Sequence, residues 1–417
     1  MKILWVKPGK LLPLDTGGKL RTYNILRHLS TQHAVTFLSY YGGNRDSQYE
    51  QDILEHLPGA VSVHGAPAYT SGFERNLDYV RLLTSSVPYS VRRFTSAHVQ
   101  RLIEDWISAQ RFDVAVCDFL ASTLNFPREL AIPVILFQHN VEGLLWRRRA
   151  QFETKWLYRL SAKIEYAKMA RFEPRQVRRF HHVLVVSDHD RDAMSGIVDR
   201  EHITVIPTGV DVTKFRYDPE LRPAAPLVVF AGSMDWAPNI DAVEYFCSEI
   251  WPRVLAQVPE GRFRIVGRDP HARVRKLVSA SVEVTGTVPT VVNHFREAAV
   301  LVVPLRMGGG TRIKIYEGMA LGKATVSTRL GAEGLDVRHG HDLLLADDPP
   351  LFAEYVAALL GDEKTRRQFE AAAAATARKY DWSMVTEHVI AAMRRAVSVP
   401  ACASAPPSRL PPMSDPW

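Results

Sequence analysis

Short, continuously apolar runs rich in β-branched residues recur along the chain, each separated from the next by a longer segment with helical patterning. In the first half the predicted strands are 2–6, 35–39, 61–64, 114–118, 134–138, 183–187 and 204–207. In the second half they are 227–231, 263–266, 282–285, 301–305, 324–327 and 343–346. Several of these runs are apolar at every position. A strand that shows no polar alternation is buried on both faces, which means a parallel sheet covered by helices on either side. Strand–helix alternation in both halves predicts an α/β fold made of two doubly wound, Rossmann-like domains.

A chain of 417 residues is long for one core and suits two. Gly209, Pro219, Pro223 and Pro226 mark the break near 209–226. The expected division is a first domain over 1–210 and a second over 211–380. A helix over 381–397 opens at Trp382-Ser383-Met384-Val385, after an Ala-rich helical stretch at 369–378, and a Pro/Ser/Ala-rich tail over 398–417 is expected to be disordered. Cys117, Cys247 and Cys402 form no pair or C-x-x-C motif, which fits a reducing compartment and predicts a cytoplasmic protein. No run reaches the roughly 20 apolar residues that span a bilayer.

The net charge of +7 is concentrated. Between Trp146 and Phe180 stand eleven basic and three acidic residues, so the rest of the chain is close to neutral. Lys155, Arg159 and Lys163 recur at helical spacing beside a line of Trp156, Leu160, Ile164 and Ala167. Such a helix suits an anionic membrane surface or a lipid-diphosphate acceptor, and so peripheral contact at the inner face of the membrane through 146–180. It equally suits a solvated helix whose apolar line faces the core. No stacking platform or groove-binding motif accompanies it, which argues against nucleic acid.

The strongest local signal is the run from Pro304 to Gly322. A buried strand ends in Gly308, Gly309 and Gly310, and a helix follows with Thr311 and Arg312 in its first turn. Unpaired N–H groups and the positive dipole end at a helix start, with glycines that let an anion approach, make a diphosphate cradle. Arg312 and Lys314 add positive charge, and Glu317, farther along, can accept hydrogen bonds from a ribose diol. The plain alternative is a Gly-rich turn capped by Thr311. At the other end, Gly17 and Gly18 follow the first strand and open a helix, without Walker or G-x-G-x-x-G spacing. His139, in Gln138-His139-Asn140-Val141-Glu142, follows a strand at the end where open sheets bind ligands; it could meet a sugar hydroxyl or a phosphate, or be a hydrogen-bonded loop histidine. Asp188-His189-Asp190 reads as a helix start with Asp188 as the cap, not a metal site. No Cys/His cluster, H-E-x-x-H or G-x-S-x-G motif is present.

Together these pieces resemble retaining GT-B glycosyltransferases of family 4. Residues 230–239, including Gly232, are similar to the family's first nucleotide-domain strand and loop, and 263–268 to its second. The segment 284–288 resembles the one that contacts the base. The run 308–326 resembles its signature helix, and 205–211 its interdomain P-N-G-V-D loop with Thr208 for Asn. The resemblance implies two Rossmann-like domains facing across a cleft and a helix from near Trp382 crossing back to the first domain. It also implies donor and diphosphate contacts from Gly17, Gly18, Gly232, Arg268, Gly308, Gly309, Gly310, Thr311, Arg312, Lys314 and Glu317. His139 and Glu317 act at the sugar and ribose, and Thr287 and Val288 at the base. Many members carry E-x7-E; here the first carboxylate is replaced by Gly309, which resembles a G-G-G-T-R-x-K subgroup. The implied activity is metal-independent transfer of a sugar from a nucleotide diphosphate (UDP, GDP or dTDP) to a carbohydrate, lipid-linked or small-molecule hydroxyl, in polysaccharide, glycolipid or glycoconjugate biosynthesis. It needs no cofactor beyond the nucleotide sugar. The same fold admits a nucleotide-sugar 2-epimerase or, given the absent first glutamate, a non-catalytic binding protein.

Overall fold

The computed structural model describes residues 1–65, 72–153, 155–307 and 313–398. The triple-glycine turn with Thr311 and Arg312, and the tail beyond Ser398, lie outside the described residues.

The first sheet has seven parallel strands: β1 (Lys2–Pro8), β2 (Ala34–Tyr41), β3 (Val61–His64), β4 (Val114–Asp118), β5 (Val134–Phe137), β6 (His182–Val185) and β7 (Ile203–Val205). They lie in the order β3-β2-β1-β4-β5-β6-β7. The second sheet, also parallel, has β8 (Leu227–Ala231), β9 (Arg262–Val266), β10 (Val282–Gly286), β11 (Val300–Val303), β12 (Ala324–Ser327) and β13 (Leu344–Leu345), in the order β10-β9-β8-β11-β12-β13. In each sheet the strand order reverses beside the first strand, between β1 and β4 and between β8 and β11. At such a switch point the flanking loops part and leave a crevice at the carboxyl ends of the strands.

Successive side chains of a strand point to opposite faces, and β1 shows what that does. Ile3 and Trp5 join a core with Phe37, Val116, Phe137 and the helix Trp382–Ser398, whereas Leu4 and Val6 join another with Leu38, Ala115, Met169 and Phe172. The Trp382 helix buries Trp382, Val385, Val389, Ile390 and Met393 against the first sheet, although it follows the second domain in sequence. A single core occupies the second domain, around Val229, Phe230, Phe246, Phe263, Tyr316 and Phe352.

Two stretches of chain connect the domains, and they run side by side. Val210 N–H donates to the Tyr380 carbonyl at 2.8 Å, and Trp382 N–H to the Val210 carbonyl at 3.2 Å. Gly209 lies on the Trp382 indole, where a Cβ would collide with the ring. Glycine is therefore required there by close approach, not by backbone conformation.

The basic segment forms two helices, Glu142–Phe152 and Trp156–Val177, packed together as a hairpin. The long helix buries Ala162, Glu165, Met169, Phe172 and Val177. The apolar line read from the sequence lies elsewhere: Trp156 is 70% and Leu160 49% exposed. At those two positions the core reading of the line is overturned, because the face this helix buries runs through Ala162, Glu165, Met169 and Phe172 instead.

Candidate active site

The first-domain wall is built at the ends of β1, β4 and β5. Asp118, the last residue of β4, is fully buried and is the hub. Its carboxylate accepts from Trp5 Nε1 (3.1 Å), Thr22 Oγ1 (2.7 Å) and His139 Nε2 (2.6 Å). Arg21, on the helix Gly17–Leu29, donates to His139 Nδ1 at 3.2 Å and to Thr208 Oγ1 at 2.6 Å. A donor at Nδ1 and an acceptor at Nε2 assign the neutral tautomer with its proton on Nε2. Burial, with Arg21 and Lys7 nearby, outweighs the attraction of Asp118 and takes the imidazole down to about 4. Burial opposes ionisation of Asp118 too, but the facing His139 and Lys7 and the donated hydrogen bonds hold its carboxyl below the usual range. Burial lowers the pKa of Lys7, against the pull of Asp118.

Phe119 follows directly, with φ of 70°, a region that side chains other than glycine rarely enter. That backbone lays its ring on His139, with centroids 4.0 Å apart, while Phe137 stacks from another side at 4.4 Å. Lys7 Nζ sits 4.1 Å from the Phe119 centroid, within cation–π reach. Gly18 fits against this stack because it has no side chain: a Cβ there would come within 2.8 Å of Phe119 Cζ. Thr16 caps the Gly17 helix, its side chain accepting from Lys19 N–H, and Thr16, Gly17 and Gly18 at this helix start line the cleft.

The second-domain wall begins where β8 ends. Asn239 Nδ2 donates to the Ser233 carbonyl at 2.8 Å and its Oδ1 accepts from Lys314 Nζ at 3.2 Å. Lys314 Nζ also lies 4.2 Å from the Phe230 ring centroid. A Cβ on Gly232 would fall 2.6 Å from Asn239 Nδ2, so this loop too depends on a glycine. Glu317 lies on the helix Ile313–Ala320. Burial pushes its carboxyl up to about 7, although Lys214 and Lys314 oppose the shift.

The two walls enclose a cleft of about 700 Å³. Gly17, Gly18 and His139 line it from the first domain, and Gly232, Lys314 and Glu317 from the second. The walls meet at Gly17, where a Cβ would touch Ile313 Cδ1 at 3.4 Å. Arg268 stands behind this lining, its Nε on Ser233 Oγ at 2.9 Å. Thr287 and Val288, just past the edge strand β10, are outside the lining. Gly308, Gly309, Gly310, Thr311 and Arg312 lie outside the described residues. His139 reaches the cleft, but both ring nitrogens already bond to protein. The helix expected to start with Asp188 as cap is capped by Ser187, whose Oγ accepts from Asp190 N–H at 3.2 Å; Asp188 is its first residue. The chain continues from β6 into this helix through Ser187, whose extended backbone suits a cap.

Sequence reading missed Asp118, Arg21, Phe119 and Asn239. The signal for Asp118 is a charged residue ending an otherwise apolar parallel strand, and Lys7 carries the same mark near the end of β1. Phe119 has no such signal, because its role comes from an unusual backbone conformation.

Two doubly wound parallel sheets facing across a cleft lined from both sides define the GT-B architecture of glycosyltransferases. Solved structures share it over nearly the whole chain. Sucrose-phosphate synthase from Thermosynechococcus elongatus superposes with a TM-score of 0.68 at 15% identity, covering 95% of this chain and 98% of its own. Anabaena Alr3699/HepE, solved in complex with UDP, gives 0.66 at 14% identity over 95% and 100%. Residues 16–214 match the family model Glycosyltransferase Family 4, and residues 225–362 match Glycosyl transferases group 1. The chain therefore carries both domains of this group of glycosyltransferases. Among curated relatives, an uncharacterized 44.6 kDa protein in the cps region of Klebsiella pneumoniae is 24% identical over 85% of this chain and 90% of its own length. Phosphatidyl-myo-inositol mannosyltransferase of Mycobacterium tuberculosis is 30% identical over 44% of this chain and 52% of its own. The match to the mannosyltransferase thus spans about half that protein's length.

Proposed function

We propose that the protein is a retaining, metal-independent glycosyltransferase that moves a sugar from a nucleotide diphosphate to an acceptor hydroxyl, in polysaccharide, glycolipid or glycoconjugate biosynthesis. The observation that carries this reading is the cleft itself, which sets Gly17 and Gly18 at one helix start opposite Gly232, Lys314 and Glu317. In the proposed reaction the bond from the anomeric carbon to the phosphate oxygen breaks, and the nucleotide diphosphate leaves with the electron pair. The acceptor oxygen bonds to the same face of that carbon, and its proton passes to the departing phosphate.

The developing negative charge needs preorganised positive potential. Lys314 is a cation held in place by Asn239, and the Gly17 helix contributes a dipole end. Glu317 in its ionised form is the acceptor for the ribose diol. His139 is proposed to shape the sugar subsite through its packed ring, since a hydroxyl could bond Nδ1 only by displacing Arg21. Approach of the two walls excludes water and so limits hydrolysis of the donor. The relative encoded in a cps region favours a polysaccharide setting, and the mannosyltransferase a lipid-linked acceptor.

The test is incubation with UDP-, GDP- and dTDP-sugars and candidate acceptors, with product analysis and a chelator control. Free nucleotide diphosphate with an α-linked glycoside from an α-linked donor, undiminished by chelator, is expected. An epimerised nucleotide sugar, or an inverted glycoside, overturns the reading. Glu317→Ala is expected to lower kcat/KM by at least about a hundredfold, as loss of a donor-orienting contact does, with an unchanged circular dichroism spectrum.

A further inference from the structure

We propose that the outer end of the hairpin formed by the Glu142 and Trp156 helices is a docking face for an anionic lipid bilayer. Its apolar part is unusually bare. Trp156 is 70%, Leu157 60%, Tyr158 56% and Leu160 49% exposed, all within the first two turns of one helix. Scattered exposed apolar residues are ordinary in a soluble protein, but four large ones in five positions mark an interaction surface. The residues this helix buries begin at Ala162, so these four large side chains are left largely uncovered by the described residues. The Gly72–Arg81 helix is tied to the long helix by Lys168 Nζ on the Leu82 carbonyl at 3.0 Å. Leu77 and Val80 on it are exposed as well.

Charge selects the occupant. Between Arg147 and Lys163 stand Arg147, Arg148, Arg149, Lys155, Arg159 and Lys163 against the single acid Glu153. The Glu153 carboxylate accepts from Lys155 N–H at 3.1 Å. Long basic side chains around a Trp–Leu–Tyr–x–Leu tip match a surface that is negative at the headgroups and apolar beneath them. Aromatic rings settle at that boundary while Arg and Lys reach outward. Nucleic acid would use the charge but leave Leu157 and Leu160 without a role. The face also stands close to the cleft. Leu144, Leu145 and Arg148 line the cleft from the same short helix, and they stand four to eight residues before its end at Phe152, about 6–12 Å from the tip at 1.5 Å per residue. Docked this way, the protein holds the mouth of its cleft near headgroup level.

Binding is read without turnover, so this proposal and the proposed reaction fail separately. The full chain is sedimented with vesicles of phosphatidylglycerol and phosphatidylcholine in roughly a 1:2 ratio, with pure phosphatidylcholine vesicles, and with RNA. Partition onto the anionic vesicles is expected to be at least about tenfold stronger than onto the neutral ones, and to weaken with salt. Trp156→Ala/Leu157→Ala/Leu160→Ala, and separately Arg159→Glu/Lys163→Glu, are each expected to lose about tenfold or more in partition. Their melting temperatures should stay at the wild-type value, because all five side chains are exposed. Absence of binding to anionic vesicles, wild-type partition by either variant, or sedimentation with RNA in place of vesicles overturns the proposal.

Discussion

Removing the Asp118 carboxylate would strand three buried donors at once: Trp5 Nε1, Thr22 Oγ1 and His139 Nε2. Losing the shared partner of a buried polar network is severe because each orphaned group keeps its desolvation penalty. Asp118→Ala is expected to destabilise the protein by about 3–5 kcal/mol. Asp118→Asn, which keeps an acceptor oxygen, should cost less; denaturant unfolding compares the two. Glu317 gives a prediction in pH. A carboxyl with its pKa raised to about 7 is largely protonated at pH 6, whereas only the ionised form offers two full acceptor oxygens to the two hydroxyls of a ribose diol. Donor binding therefore releases a proton, and affinity for a nucleotide sugar should rise between pH 6 and 8. The rise should disappear in Glu317→Gln. Calorimetric titration with the intact nucleotide sugar, whose diphosphate does not titrate in this range, checks it; an identical profile in the variant would sink the assignment. At this scale the sequence was legible where a residue stood in a recognisable motif: Gly18, Gly232 and Glu317 all line the cleft. It was silent where a placement arises from stacking and an unusual backbone conformation, as at Phe119.

The elements show a different division. Runs such as 114–118, 227–231 and 324–327 became strands at those same limits, because burial on both faces leaves no polar position to blur an edge. Boundaries moved where a neighbour claimed the last residues. The run predicted over 183–187 became His182–Val185, with Ser187 serving as the cap of the following helix. The long basic helix was found as a helix, but which face it buries was left open, with the apolar line read as either inward or outward. Ala162, Glu165 and Met169 face inward and Trp156 and Leu160 outward, since a buried glutamate paired to backbone amides is invisible to a pattern built on apolar residues. Contact between loops was equally illegible. A Cβ on Gly267 would fall on the Gly232 carbonyl oxygen, so the turns after β8 and β9 touch backbone to backbone. Gly267→Ala must push the Gly232 loop aside. It is expected to weaken donor binding about tenfold or more while lowering stability by roughly 1–3 kcal/mol; thermal unfolding with and without nucleotide sugar separates the two effects.

For the molecule as a whole, the pattern of alternating strands and helices was sufficient for two sheets, but the docking of the last helix on the first sheet entered only through family resemblance. Nothing in the sequence from 382 to 398 states which sheet its apolar face meets. Trp382 carries much of that attachment, buried against the first-domain core and covering Gly209. Trp382→Ala is expected to cost about 3–5 kcal/mol, measured by denaturant unfolding, with the loss falling on the first domain in hydrogen exchange. The paired connections at Val210 and Tyr380–Trp382 carry a mechanical consequence. Two tethers fastened to each other at one place act as a single pivot, and they leave rotation about that pivot as the soft relative movement of the halves. Displacement then grows with distance from the pivot, so a small twist of a few backbone torsions there becomes a larger stroke at the far rim.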